Sequence, residues 1–441
     1  MTSPLPPAMV IEPARVNPPA VSSLHQLILY GTVGLLLFGP LAVGATDPWS
    51  IFVLQSGSAS LFAIWAVGQI CAGALETRIS RSFFPMLAFA LLIAIQLFGG
   101  RTASKEKTFS MAMLFASYAL LSFLIFQTLR HTHQVRRIAR VICCYGAAMA
   151  IFAIIQGLTS EGKIYWLFTP RFSGWIYGPY VNHNHYAGLM EMLTPVPLVV
   201  FLSPHTSSRN RWLAGCAAAL MGSSVLLSGS RGGMISSALE LTLLVVILLW
   251  QRAHRNVIAG VGVLACAMVV VFLWIGSSQL TQRLSSIRKT ADNAISSGTR
   301  LDMDRDGLTM LAQRPLLGWG FGTFPVVYPQ FRSFYTDLYV DHAHNDYIQL
   351  LVETGIVGFA CALWFLAIAL AGAMRKVGHC GLHTNGLVGL ACLLGIAGIL
   401  AHSFVDFNLE VPANAALFFS LCTVAAARTR FGLHHVGSHI M

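Results

Sequence analysis

Asp341-His342-Ala343-His344-Asn345-Asp346-Tyr347-Ile348-Gln349-Leu350-Leu351-Val352-Glu353-Thr354-Gly355 joins a knot of titratable groups to the start of a long apolar run. Asn345 and Asp346 suit a helix start: their side chains accept from free backbone N–H groups, and the acid favours the positive end of the helix dipole. That end also attracts phosphate. His344 is expected at the mouth of a membrane helix, with an imidazole that titrates near neutrality. Glu353 falls well inside the helix, where a lone carboxylate is costly and usually has a purpose.

The rest of the chain makes the apolar run one of many. Of 441 residues, 55% are hydrophobic and only 10% charged, against roughly 25% charged in a soluble domain. A span needs about 20 apolar residues. Twelve runs qualify, near 24–46, 49–75, 82–99, 109–129, 138–158, 186–203, 211–228, 233–250, 257–275, 346–373, 385–405 and 413–427. The expected fold is therefore an all-α, polytopic integral membrane protein of about twelve transmembrane helices. A large external loop separates the ninth from the tenth. Residues 1–23 and 428–441 read as tails, the first rich in Pro and Ala. The first apolar run reads as a retained anchor, because the tail lacks the basic n-region and short h-region of a cleaved signal.

Arg78/Arg81, Arg130/Arg136/Arg137/Arg140, Arg209/Arg211, Arg252/Arg255, Arg375/Lys376 and Arg428/Arg430 fall on one side of the alternating spans. The positive-inside rule makes that side the cytoplasm. Arg101, Lys105 and Lys107 break the pattern between the third and fourth spans. The net charge of +11 fits this bias and an anionic substrate. Basic residues scattered between apolar spans argue against nucleic acid. Nine cysteines, several inside apolar runs, form no paired framework and no C-x-x-C, so neither disulfides nor a zinc site is expected.

The external side receives the segments with chemistry. Arg231 stands in the tight Ser228-Gly229-Ser230-Arg231-Gly232-Gly233 turn. A guanidinium forks onto phosphate oxygens and stays charged, and flanking glycines let a bulky anion reach the backbone. It reads equally as an arginine snorkelling to the headgroups. Arg300 opens an amphipathic helix expected over Thr299–Gln313, stopped by Pro315. Arg305 in that helix, Arg314 just after it, and Arg171 in Thr169-Pro170-Arg171-Phe172 read as phosphate ligands or as solvated loop residues. Asn184, in Asn182-His183-Asn184-His185, either lines the same pocket or only caps a helix. His402 and Asp406 are candidates for the site or for a buried structural bond. His342 and His344 with Asp341 and Asp346 lack a third histidine at a ligand-like interval, so a catalytic base is favoured over a metal site. Asp346 is the candidate orienter of that base. No phosphate-binding loop or dinucleotide fingerprint occurs, nor an Asp-x-Asp pair, so no nucleotide or other cofactor is expected.

Three stretches in order carry a family resemblance. They are Leu227-Ser228-Gly229-Ser230-Arg231-Gly232-Gly233, Arg314-Pro315-Leu316-Leu317-Gly318-Trp319-Gly320-Phe321-Gly322-Thr323-Phe324, and His342-Ala343-His344-Asn345-Asp346-Tyr347 through Gly358. With them the chain resembles the bacterial O-antigen ligase and O-antigen polymerase superfamily, over a core of about 180–410. The resemblance implies a multi-pass protein of the bacterial inner membrane whose active site faces the periplasm. It implies transfer of a glycan from an undecaprenyl-diphosphate carrier to an acceptor hydroxyl, without metal or nucleotide. The acceptor is lipid A-core, a growing polysaccharide or a protein, so ligase and repeat-unit polymerase stay open as alternatives. Carried over, His344 is the base, Arg231 the arginine of the Ser-Arg-Gly turn, and Arg300 the arginine opening the loop helix. Asn345, Glu353, Asn184 and His402 are expected to support them. A lipid or polysaccharide transporter is the rival class. It calls for charges spread through the spans, where only Glu191, Glu240 and Glu353 are candidates.

Overall fold

The computed structural model describes residues 19–73, 75–170, 175–253, 255–290, 297–336 and 339–427. The described residues are all-α, with two isolated β-bridges and no strand. The helices are α1 Pro19–Leu41, α2 Pro48–Cys71, α3 Phe83–Phe98, α4 Lys105–Thr128, α5 Thr132–Thr159, α6 His183–Leu193, α7 Pro195–Leu202, α8 Ser208–Ser228, α9 Arg231–Trp250, α10 Arg255–Thr290, α11 Ser297–Gln313, α12 Phe324–Val327, α13 Asp346–Cys380, α14 Thr384–His402 and α15 Pro412–Ala426.

Every one of the twelve apolar runs finds a helix. Ten segments are long and apolar enough to cross a membrane, and α3 and α15 are shorter apolar helices. α6 and α7 together make one of the ten, divided at Thr194 where Pro195 and Pro197 remove backbone donors. α10 runs on to Thr290, beyond the end at 275 that its hydropathy suggests. The tails expected over 1–23 and 428–441 lie outside the described residues, apart from 19–23, which open α1.

The helices alternate in direction, which gathers the starts of α4, α6, α9, α13 and α15 at one end. Polar caps hold several of these starts. Ser104, Asn182, Ser230 and Asn345 accept from backbone N–H groups two or three residues on. The turn between α3 and α4 belongs to the same end: the Ala103 N–H donates to the Trp319 carbonyl at 2.7 Å. Arg101, Lys105 and Lys107 therefore share the face of the long loop despite their charge. α14, α8 and the α6–α7 pair form the interior, and α2 and α10 are mostly exposed on their flanks.

α13 is broken. Gly355 has φ 64° and ψ −170°, and the Pro315–Gly322 segment wedges into the break. Ile356 donates to Pro315 and Val357 to Leu316, while Trp319 donates to Val352 and Gly320 to Glu353. Irregular backbone at the edge of an apolar bundle persists because each freed group finds a partner. Both contacts demand glycine: a Cβ on Gly355 would lie 2.3 Å from the Leu316 oxygen, and one on Gly318 2.4 Å from the Glu353 carbonyl carbon.

Candidate active site at the turn after α14

Residues 403–411 link α14 to α15, and this turn is the point where the sequence candidates meet. α13 is stitched to it through Asp346. The Asp346 N–H donates to the Ser403 carbonyl at 3.0 Å. Its carboxylate accepts from the Ser403 hydroxyl at 2.6 Å and the Leu409 N–H at 3.2 Å. Asp346 is thus occupied in joining two helices, and its bonds go to the turn rather than to His344. Asn345 caps α13, accepting from Tyr347 and Ile348.

His344, one residue earlier, sits at φ 52°, in the left-handed region that few residues other than glycine adopt. This backbone conformation ends the extended approach and starts the cap. Its ring meets Phe407 edge-to-face, with centroids 4.8 Å apart. His342 stacks on Phe407 at 4.4 Å and 20°, and His185 meets it at 4.7 Å and 74°. Three histidines from two helix starts therefore share one aromatic wall. His342 is further tied by Gln349, which bonds its Nδ1 at 3.1 Å and accepts from the Ala343 N–H at 3.0 Å.

The carboxylate among these rings is Asp406. It is buried, accepts from the Asn184 side-chain amide and its own neighbour Phe407 N–H, and lies 3.6 Å from His185 Nε2. Burial alone would raise its carboxyl. The His185 imidazole, with His344 and His402 beyond it, outweighs burial and holds the acid well below the usual range. Burial pushes the His344 imidazole down to about 4, with Arg300 and His342 adding to the fall and Asp406 and Asp341 opposing it. His344 is therefore neutral across the physiological range, and its Nδ1 is buried with no hydrogen-bond partner.

Two arginines complete the cluster. Arg300 donates from Nη1 to the Val405 carbonyl at 2.8 Å, so α11 docks on the same turn. Arg231 is exposed at the first position of α9. The adjacent Gly232 packs against His402 and Val405. His402 in turn bonds Glu191 of α6, Nδ1 to Oε1, at 2.9 Å.

Other sequence candidates lie elsewhere. Arg314 covers the Trp319 ring at 4.2 Å, fourteen residues along from Arg300 and so roughly 20 Å away at 1.5 Å per residue. Arg171 lies outside the described residues. Glu353 is buried and accepts from Gly322 at 2.7 Å and Phe324 at 3.1 Å; its purpose is to anchor the glycine-rich segment in the break of α13. Phe407 is the residue that sequence reasoning missed. A lone aromatic in a short loop carries no local signal, and only the fold shows three histidines around it.

Among the described residues, no group of three His, Cys, Asp or Glu side chains converges as a metal ligand set. No curated protein matches the chain. Residues 216–363 match the family model described as O-antigen ligase. This match supports a function of the O-antigen ligase or polymerase type, carried out by a glycosyltransferase-type enzyme in a multi-pass membrane protein. The segment that holds Arg231, Arg300 and His344 is thus similar to the O-antigen ligase family over about a third of the chain.

Proposed function

We propose that this protein transfers an oligo- or polysaccharide from an undecaprenyl-diphosphate carrier to an acceptor hydroxyl, as an O-antigen ligase does, on the periplasmic face of the inner membrane. The observation that carries the reading is that Arg300 and neutral His344 meet at the turn after α14, where Gly232, the residue after Arg231, also packs. His344 takes the proton of the acceptor hydroxyl. The acceptor oxygen bonds the anomeric carbon as the bond from that carbon to the diphosphate oxygen breaks, and the electron pair leaves with the diphosphate. In-line attack inverts the anomeric configuration. Fixed guanidinium groups in a water-poor site neutralise the charge growing on the leaving group. No step calls for a metal.

The assay is transfer from a purified lipid-linked glycan to acceptor in detergent. His344→Ala should cost on the order of 10²–10⁴ in rate, the usual worth of a general base. Arg231→Ala and Arg300→Ala should weaken donor use. Arg231→Lys should restore it only in part, since it keeps the charge and loses the fork. EDTA should have no effect. Inhibition by EDTA that a divalent ion reverses would reinstate a metal. An inactive His342→Ala beside an active His344→Ala would move the base two residues upstream.

A further inference from the structure

The buried pair His402–Glu191 is not used by that chemistry. Both side chains are about 1% exposed or less, and their bond is 2.9 Å. An isolated carboxylate in an apolar helical core is strongly unfavourable, whereas Glu191 with a protonated His402 carries no net charge. In that state the second ring nitrogen, Nε2, is also a donor, and it has no hydrogen-bond partner. It is aimed at the first turn of α9: a Cβ on Gly232 would fall 2.6 Å from it. Only glycine next to Arg231 lets the ring edge approach so closely.

The start of α9 is independently suited to an anion. The first N–H groups of a helix have no partner within it, and the dipole adds positive potential there. Ser230 takes up the Gly233 N–H, and Arg231 stands at the rim. We propose that His402, fixed through Glu191, is a diphosphate-binding residue that works with Arg231 and the first turn of α9. This rests on the diphosphate reading of Arg231 given above. The protonated ring donates from Nε2 to a non-bridging oxygen; no bond to hydrogen is broken. Other titratable groups face it: Glu191 from α6, His183 from the start of α6, Asp406 from the turn, and Asp346 from α13. Glu240 of α9 lies deeper, against Gly398.

The test is binding of inorganic diphosphate to the purified full chain in detergent, by calorimetry from pH 6 to 9. The quantity read is the affinity ratio of wild type to variant at each pH, so that the ligand's own titration cancels. His402→Gln should bind on the order of tenfold more weakly at low pH, the usual worth of a charge-assisted bond. The ratio should fall toward one as His402 of the wild type loses its proton. Glu191→Gln removes the charge that favours the imidazolium, so its own loss of affinity should begin at lower pH than in the wild type. A merely structural role for the pair would give a ratio independent of pH, and that result overturns the proposal. Should His402→Gln not fold, Glu191→Gln decides alone: an unchanged pH profile refutes the proposal. If Arg231→Ala binds like wild type, the diphosphate reading of the site itself fails. If Arg231→Ala loses binding and His402→Gln does not, only the role of His402 fails.

Discussion

The His344 ring stands at 77° to Phe407, its edge against the aromatic face with centroids 4.8 Å apart. The ring's Nδ1 is unpartnered, and its carboxylate neighbour Asp346 bonds elsewhere. The position of the proposed base is therefore set by packing, on a residue that also supports His342 and His185.

Phe407 should accordingly behave as a positioning residue. Phe407→Ala removes the wall and leaves the rings free to shift. A misplacement of about 1 Å costs on the order of 10²-fold in rate. The loss should appear in kcat with little change in donor KM, and the acid limb of the pH profile should move as His344 becomes better hydrated. Phe407→Tyr, which keeps the ring, should recover most of the activity. If Phe407→Ala turns over at the wild-type rate, the packing account is wrong. Steady-state kinetics of the three proteins in one detergent decide it.

The fold was legible where the physics is one-dimensional. Apolar length located a helix in each of the twelve runs, ten of them long enough to cross a membrane and α3 and α15 shorter, because a helix that satisfies its own backbone needs only composition to enter a membrane. It was not legible where distant segments exchange backbone bonds. Gly355 reads as a glycine in a helix, and Pro315–Gly322 as a surface connection; only their mutual fit shows the break and explains buried Glu353. The site divides in the same way. Arg231, Arg300, His342 and His344 announce themselves by residue type beside glycine or a helix start. The turn that gathers them does not. His402 and Asp406 look like ordinary polar ends of a span until Glu191, Asn184 and His185 are seen against them. Arg314 misled because an arginine near a motif looks the same whether it faces a ligand or covers Trp319.

Topology gives a direct check on the alternation of helices. Ala103 bonds Trp319, so Arg101 lies on the face of the long loop. Single cysteines at Arg101 and Ser333 should both react with a membrane-impermeant thiol reagent in intact cells, once the native cysteines are replaced. A cysteine at Ser207, in the connection to α8, should react only after the membrane is opened. Labelling at Ser207 together with Ser333 would contradict the two-faced arrangement. Labelling at Ser207 alone would invert the orientation and put the proposed active site on the cytoplasmic side.

The pH dependence follows from the environment of His344. Burial holds the imidazole down to about 4, below its ordinary value near 6.5. A base must be neutral to accept a proton, so kcat/KM, which reports the free enzyme, should rise with pH through about 4 and gain nothing further from this group above about 5. Bound diphosphate is an anion beside the ring and favours the imidazolium. The acid limb of kcat, which reports the substrate complex, should therefore lie at higher pH than that of kcat/KM. The same shift makes His344 a liability for folding in acid. The unfolded chain takes up a proton from about 6.5 downward that the folded chain refuses until about 4, so this group weakens folding as pH falls through that window. Asp406 opposes the depression, since its charge favours protonated His344. Asp406→Asn should then move the acid limb of kcat/KM to still lower pH and reduce the neutral-pH rate by roughly tenfold, as a less basic imidazole is a poorer proton acceptor. The measurement is a pair of pH–rate profiles, wild type and Asp406→Asn, with protein integrity followed at each pH. An acid limb of kcat/KM near 6.5 in the wild type would mean that His344 is solvated in the working enzyme. A limb that moves upward in Asp406→Asn would mean that the titrating base is another group.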